Sequence, residues 1–169
     1  NAAVVQFVNN FQVAFRPQLV KYYAQGNIDA LKSLIINTSK YSYLLLFAIV
    51  CPVCFNIDLL LKIWLKNPPE YAAEFCIMML IYALLETLSA PMWMTVQATG
   101  KIKKYQIVIS CVISLNIVIS YLFLKAGFGP VTVLIIKCCL DIIYLVVRLF
   151  FMKAKIQFPI KVFFVKTLL

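Results

Sequence analysis

The sequence predicts an all-α, polytopic transmembrane bundle of about five membrane-spanning helices plus one short cytoplasmic interfacial helix. Three observations carry that prediction. Ile107 to Leu124 reads IVISCVISLNIVISYLFL without a single charge, and at about 1.5 Å per residue such a run reaches roughly 27 Å, close to the hydrocarbon depth of a bilayer. Hydrophobic residues make up 64% of the chain and charged residues 13%, with a mean hydropathy of +0.95; a water-soluble domain of this length could not bury that much apolar surface. The cations behind the net charge of +10 gather in short loops between apolar runs, which is a topology signal rather than the solvated basic face of a nucleic-acid binder.

The first span, residues 1–23, is amphipathic. Gln6, Asn9, Asn10, Gln12, Arg16 and Gln18 interrupt its apolar residues, and lipid rejects such a face, so it should turn toward protein or a wet cavity. Pro17 marks a kink or a helix end. Gln25-Gly26-Asn27 reads as a turn, with Asn27 or Asp29 capping the next helix. That helix, 28–40, is short and amphipathic and is expected to lie along the interface. The second span, 41–65, should kink at Pro52, and Asp58 and Lys62 near its far end have the spacing of an i, i+4 ion pair. Residues 66–70, Lys-Asn-Pro-Pro-Glu, form a stiff outer loop.

The third span, 71–96, carries Glu74, Glu86 and Pro91. Gly100 then breaks the helix, and Lys101, Lys103 and Lys104 crowd a short turn that the positive-inside bias places in the cytoplasm. The charge-free fourth span, 107–124, follows. Residues 125–130 form a second outer loop, and the fifth span, 131–152, holds Lys137, Asp141 and Arg148 before a cytoplasmic tail, 153–169. Twelve of the 16 Lys and Arg fall at the inferred cytoplasmic ends and three at the outer ends, so the layout is self-consistent. With Asn1 first and a half-apolar end at Leu169, the chain reads as one transmembrane region within a longer membrane protein.

An ionisable group inside a span costs about 2.5–3.5 kcal/mol on insertion scales, which makes each one a functional candidate. Lys137 and Asp141 lie a turn apart on one helix face. Either Lys137 meets an anionic substrate that Asp141 helps release, or the two neutralise each other and seat the helix. Glu86 has no charged partner at i±3 or i±4 and is, with Asp141, a candidate for ion coupling. Arg16 beside Asn9, Asn10 and Gln12 either binds phosphate bidentately or snorkels to the interface. Of the six cysteines, Cys51 and Cys54 have C-x-x-C spacing, but with no second ligand pair and no histidine all six read as small apolar residues. A histidine-based triad or a histidine-ligated metal site has no residues to build it, no Gly-rich phosphate loop is present, and no catalytic residue, metal or cofactor is assigned.

The run from Phe15 to Lys32, FRPQLVKYYAQGNIDALK, resembles a pattern in polysaccharide-unit (O-antigen type) flippases of the multidrug/oligosaccharidyl-lipid/polysaccharide exporter superfamily. In them a helix ends in proline, followed by a Tyr-Ala-x-Gly-Asn/Asp turn and an amphipathic helix. Ala98 to Ile107 is similar to their basic turn two helices later, and Leu115-Asn116 with Ser120 to Leu124 to the helix after it. The resemblance implies a bundle of about 12 to 14 helices in two halves, of which this chain is most of the second. It implies a transporter in the bacterial cytoplasmic (inner) membrane that flips an oligosaccharide on undecaprenyl pyrophosphate to the outer face by alternating access. A cationic cavity would hold the substrate, and a proton or sodium gradient would drive it. The implied partners are the lipid-linked oligosaccharide, membrane lipids, the remaining helices and polysaccharide assembly machinery, with no nucleic acid. The alternatives are a multidrug exporter of the same superfamily or a non-transporting scaffold of a glycan-assembly complex.

Overall fold

The computed structural model describes residues 2–65, 67, 69–100 and 102–168, and their side chains except at 2–5, 7, 166 and 168. Lys101, together with Lys66 and Pro68 of the expected outer loop, lies outside the described residues. Seven helices follow in order: α1 (Ala2–Ala24), α2 (Ile28–Phe55), α3 (Ile57–Leu65), α4 (Ala72–Ala98), α5 (Lys103–Lys125), α6 (Val131–Ile156) and α7 (Ile160–Leu168). No strand occurs among the described residues. The breaks fall where local chemistry demands them. Gly26 and Gly100 take φ of 69° and 67°, the left-handed region that ends a helix cheaply only at glycine, and Asn27 Oδ1 accepts from the Ala30 N–H at 3.1 Å to cap α2.

Three helices, α2, α4 and α5, are long and apolar enough to cross a membrane, where five spans were expected. The two that fall short carry too much polarity: α1 holds Gln6, Asn9, Asn10, Gln12, Arg16, Gln18 and Lys21, and α6 holds Lys137, Asp141, Arg148, Lys153 and Lys155. The expected interfacial helix over 28–40 is no separate element, because α2 runs unbroken from Ile28 to Phe55. The polar residues that it buries are small hydroxyl residues, Thr38, Ser39 and Ser42. Ser39 Oγ donates to the Leu88 carbonyl of α4 at 3.1 Å, so this face closes a helix interface instead of lying on a membrane surface.

The expected 41–65 span is likewise divided. Asn56 ends α2 by donating its N–H (3.2 Å) and its side-chain amide (3.0 Å) to the Pro52 carbonyl. Asp58 and Lys62 on α3 are both exposed and form no ion pair, since solvent screening leaves such a pair little to gain. Asp29–Lys32, at 3.8 Å, is the one ion pair among the described residues. The tail expected over 153–169 contains α7, which docks on α2 through the buried Phe163.

Helix α4 is the centre of the packing. It touches α1, α2, α3 and α6, and Ala83 and Ser89 are buried within it, small enough to let neighbouring backbones close in. One apolar core gathers Leu19, Leu31, Ile35, Met92, Tyr105, Met152 and Phe163 from six helices; a second joins Val8, Leu46, Val50, Leu80 and Ala83. Outside these cores the surface is inverted. Only 11% of the most apolar stretch of α5 is buried, and Ile107, Ile117, Val118 and Leu122 face outward. Such a belt is stable against lipid and not against water. Ile117, 73% exposed, is the position to probe: Ile117→Lys is expected to lower membrane insertion of α5 by about 2.5–3.5 kcal/mol, measured as the inserted fraction in a translocon assay, whereas a water-facing helix would tolerate the lysine.

Candidate functional site

Helix α6 builds the site by its periodicity. Lys137, Asp141, Tyr144 and Arg148 stand at i, i+4, i+7 and i+11 and therefore share one stripe. That stripe faces Tyr82 and Glu86 of α4 and Ile109, Ile113 and Asn116 of α5 across a cleft of about 260 Å³. The opposite face of α6 is apolar and exposed, with Ile142, Ile143, Val146 and Phe150. A helix this charged remains compatible with an apolar surround because these charges point into the bundle.

Each cation in the cleft is anchored. The Lys137 ammonium stands 4.1 Å from the centroid of the Tyr82 ring, a cation–π contact that holds a positive charge without cancelling it. Arg148 Nε donates to the Tyr105 hydroxyl at 2.9 Å, and its Nη1 donates to Ser89 Oγ. Ser89 Oγ in turn donates to the Glu86 carbonyl at 3.1 Å. Tyr105 is itself clamped, stacked on Trp93 with ring centroids 5.2 Å apart and met edge-on by Phe151 at 5.3 Å. The guanidinium is thus fixed in position by α4 and α5 together.

The carboxylates are not so tied. Asp141 is 2% exposed, and its Oδ2 makes no hydrogen bond among the described residues. Glu86 is exposed at the cleft. No ion pair joins either acid to Lys137 or Arg148. The neutralising Lys137–Asp141 pair that their spacing suggested is therefore absent, because the Tyr82 ring from α4 takes the ammonium instead. The result is a cleft with two anchored cations and two carboxylates that no ion pair ties, Glu86 exposed and Asp141 buried. No family model matches this chain, and neither do any of the curated proteins or solved structures compared with it.

Of the residues that the sequence singled out on other helices, none of Asn9, Asn10, Gln12 and Arg16 lines this cleft. Asn9 and Asn10 are exposed, and Gln6 Nε2 donates to Asn10 Oδ1 at 3.3 Å. Arg16 Nη2 donates to Gln97 Oε1 at 3.1 Å, tying α1 to the end of α4. Gln12 is structural: it is 1% exposed and gives its side-chain N–H to the Thr87 carbonyl at 3.0 Å. Lys103 and Lys104 open α5 as exposed residues. Tyr82, Tyr144 and Arg148 are cleft residues that sequence reasoning missed; the closeness of Arg148 to Lys153 and Lys155 made it look like an end-of-helix cation. Its seven-residue offset from Asp141 was the available signal.

Proposed function

We propose that this chain belongs to a membrane transporter that flips a lipid-linked oligosaccharide, carried on undecaprenyl pyrophosphate, from the cytoplasmic to the outer face of the bacterial inner membrane by alternating access. The observation that carries the reading is the α4–α5–α6 cleft, where anchored Lys137 and Arg148 flank the unpaired Asp141 on α6 and face the unpaired Glu86 of α4 in an otherwise apolar bundle. Burying charges of both signs in lipid is costly, and fixed cations suit a pyrophosphate whereas unpaired carboxylates suit a coupling proton or sodium ion. The motif order around Pro17, Gly26 and Gly100 supports the same class. In this reading α1 and α6 also cross the membrane, their polar faces turned into protein, and the Lys103–Lys104 turn lies in the cytoplasm.

The test is export of surface polysaccharide from cells whose sole copy of the protein carries Lys137→Gln, Asp141→Asn or Glu86→Gln, with membrane levels measured alongside. Loss of a charge-assisted contact is worth roughly 10- to 100-fold in transport, so export should fall by that factor at unchanged protein level. Unaltered export in all three variants refutes the reading. A multidrug exporter is the second reading, and a specific arrangement favours it: Tyr82 and Tyr144 share the cleft with Glu86 and Asp141, a pairing that also suits an organic cation. Efflux of a cationic dye that depends on Asp141, with polysaccharide export intact, would select it.

A further inference from the structure

We infer that a second site, a groove between the start of α5 and the end of α6, holds the phosphate of an anionic phospholipid. Lys103 and Lys104 from the first turn of α5, Lys155 from the last turn of α6, and Phe151 line a groove of about 430 Å³. Three features make it an anion site. None of the chain's six acidic residues lines it, and none of these lysines forms an ion pair among the described residues. The N-terminus of α5 has no side-chain cap, so its first-turn N–H groups and the positive end of the helix dipole add to the field of Lys103 and Lys104 instead of offsetting it. Lysines at that end of a helix are unfavourable unless an anion sits with them. The floor is also positioned, because Phe151 packs edge-on against Tyr105 at 5.3 Å.

The depth of the groove identifies the source of the phosphate. Ile107 and Val108, one turn further along α5, and Phe150 on α6 are exposed apolar residues, so the cations stand at the rim of the apolar belt. A lipid phosphodiester occupies that level, with its acyl chains against the belt and its charge against the lysines. Soluble phosphate has no use for the apolar half of the groove. The site is separate from the cleft and does not depend on the transport reading.

The experiment is lipid retention by the purified protein, read by native mass spectrometry after exchange into detergent with equal phosphatidylglycerol and phosphatidylcholine. Phosphatidylglycerol should be retained in preference, Lys104→Gln should weaken it about fivefold, and glutamine at all three lysines should weaken it roughly a hundredfold. Arginine at the same three positions should keep it. Equal retention of the two lipids, or phosphatidylglycerol held undiminished by the triple glutamine variant, overturns the inference. So does inorganic phosphate that binds as tightly as the lipid, which would make the groove a soluble-anion site. Should the triple variant fail to fold, photoactivatable phosphatidylglycerol on the unsubstituted protein decides: crosslinks to the segments holding Lys103, Lys104, Phe151 or Lys155 uphold the site, and crosslinks confined elsewhere remove it.

Discussion

Arg148→Met lowers stability by about 2–4 kcal/mol, the largest effect expected of any single substitution in the cleft. The guanidinium makes two hydrogen bonds that reach two helices, to Tyr105 of α5 and Ser89 of α4. Hydrogen bonds from a charged donor contribute about 1.5–3 kcal/mol each, and removing the donor strands acceptors that are shut away from water. Tyr105 is 1% exposed, so its hydroxyl has no substitute partner in water. The change also leaves Asp141 and Glu86 with Lys137 as the one remaining cation lining the cleft among the described residues. Two companions separate these contributions. Arg148→Lys keeps the charge but loses the fork and should recover part of the loss. Tyr105→Phe removes one acceptor with its donor still able to reach Ser89, so it should cost only about 1 kcal/mol. Thermal unfolding of the protein in detergent is the readout, and an Arg148→Met midpoint equal to that of the parent would mean that α4, α5 and α6 are held by apolar packing alone.

Gln12→Leu costs about 1–3 kcal/mol, and most of that cost vanishes when Pro91 is replaced by alanine. The reason lies in covalent chemistry. Proline has no N–H, so Pro91 leaves the carbonyl four residues earlier, that of Thr87, without its helical donor. Gln12, reaching across from α1, supplies one at 3.0 Å. In a lipid-facing bundle a backbone carbonyl must be satisfied from within the protein, and leucine roughly conserves the volume of glutamine while removing the donor. With Pro91→Ala the Thr87 carbonyl regains an intrahelical partner and no longer needs α1. A coupling of about 1 kcal/mol or more should appear in the double-mutant cycle. Equal costs of Gln12→Leu in the two backgrounds would show that Gln12 contributes only packing.

These two residues show where sequence reading stopped. The polar face of the first helix is visible in the spacing of Asn9, Asn10, Gln12 and Arg16, and lipid would not accept it, so an inward orientation is foreseeable. What Gln12 meets is not, because Thr87 lies 75 residues away and no local pattern links a glutamine to a carbonyl orphaned by a distant proline. Asp141 and Lys137 stand out as charges in an apolar helix, yet helical spacing shows only that two side chains can meet. Tyr82, on another helix, offered the ammonium a better place. The boundary expected at residue 40 failed for a similar reason. Thr38, Ser39 and Ser42 score as polar in sequence, while in the bundle they are the small residues that let α2 approach α4.

Local residue chemistry was enough to make this chain helical and apolar, with three helices able to cross a membrane, and to set where several of its helices stop. Backbone satisfaction in an apolar medium permits little but helix, Gly26, Gly100 and Asn27 act on their own immediate backbone, and uncharged runs leave few places for a break. These are short-range effects, complete within a few residues. Which charges share a cleft, which of them are anchored and which are left unpaired followed instead from the packing of distant helices. Tyr82, Ser89 and Tyr105 compete with Asp141 and Glu86 for the same cations, and that competition is settled only when α4, α5 and α6 come together.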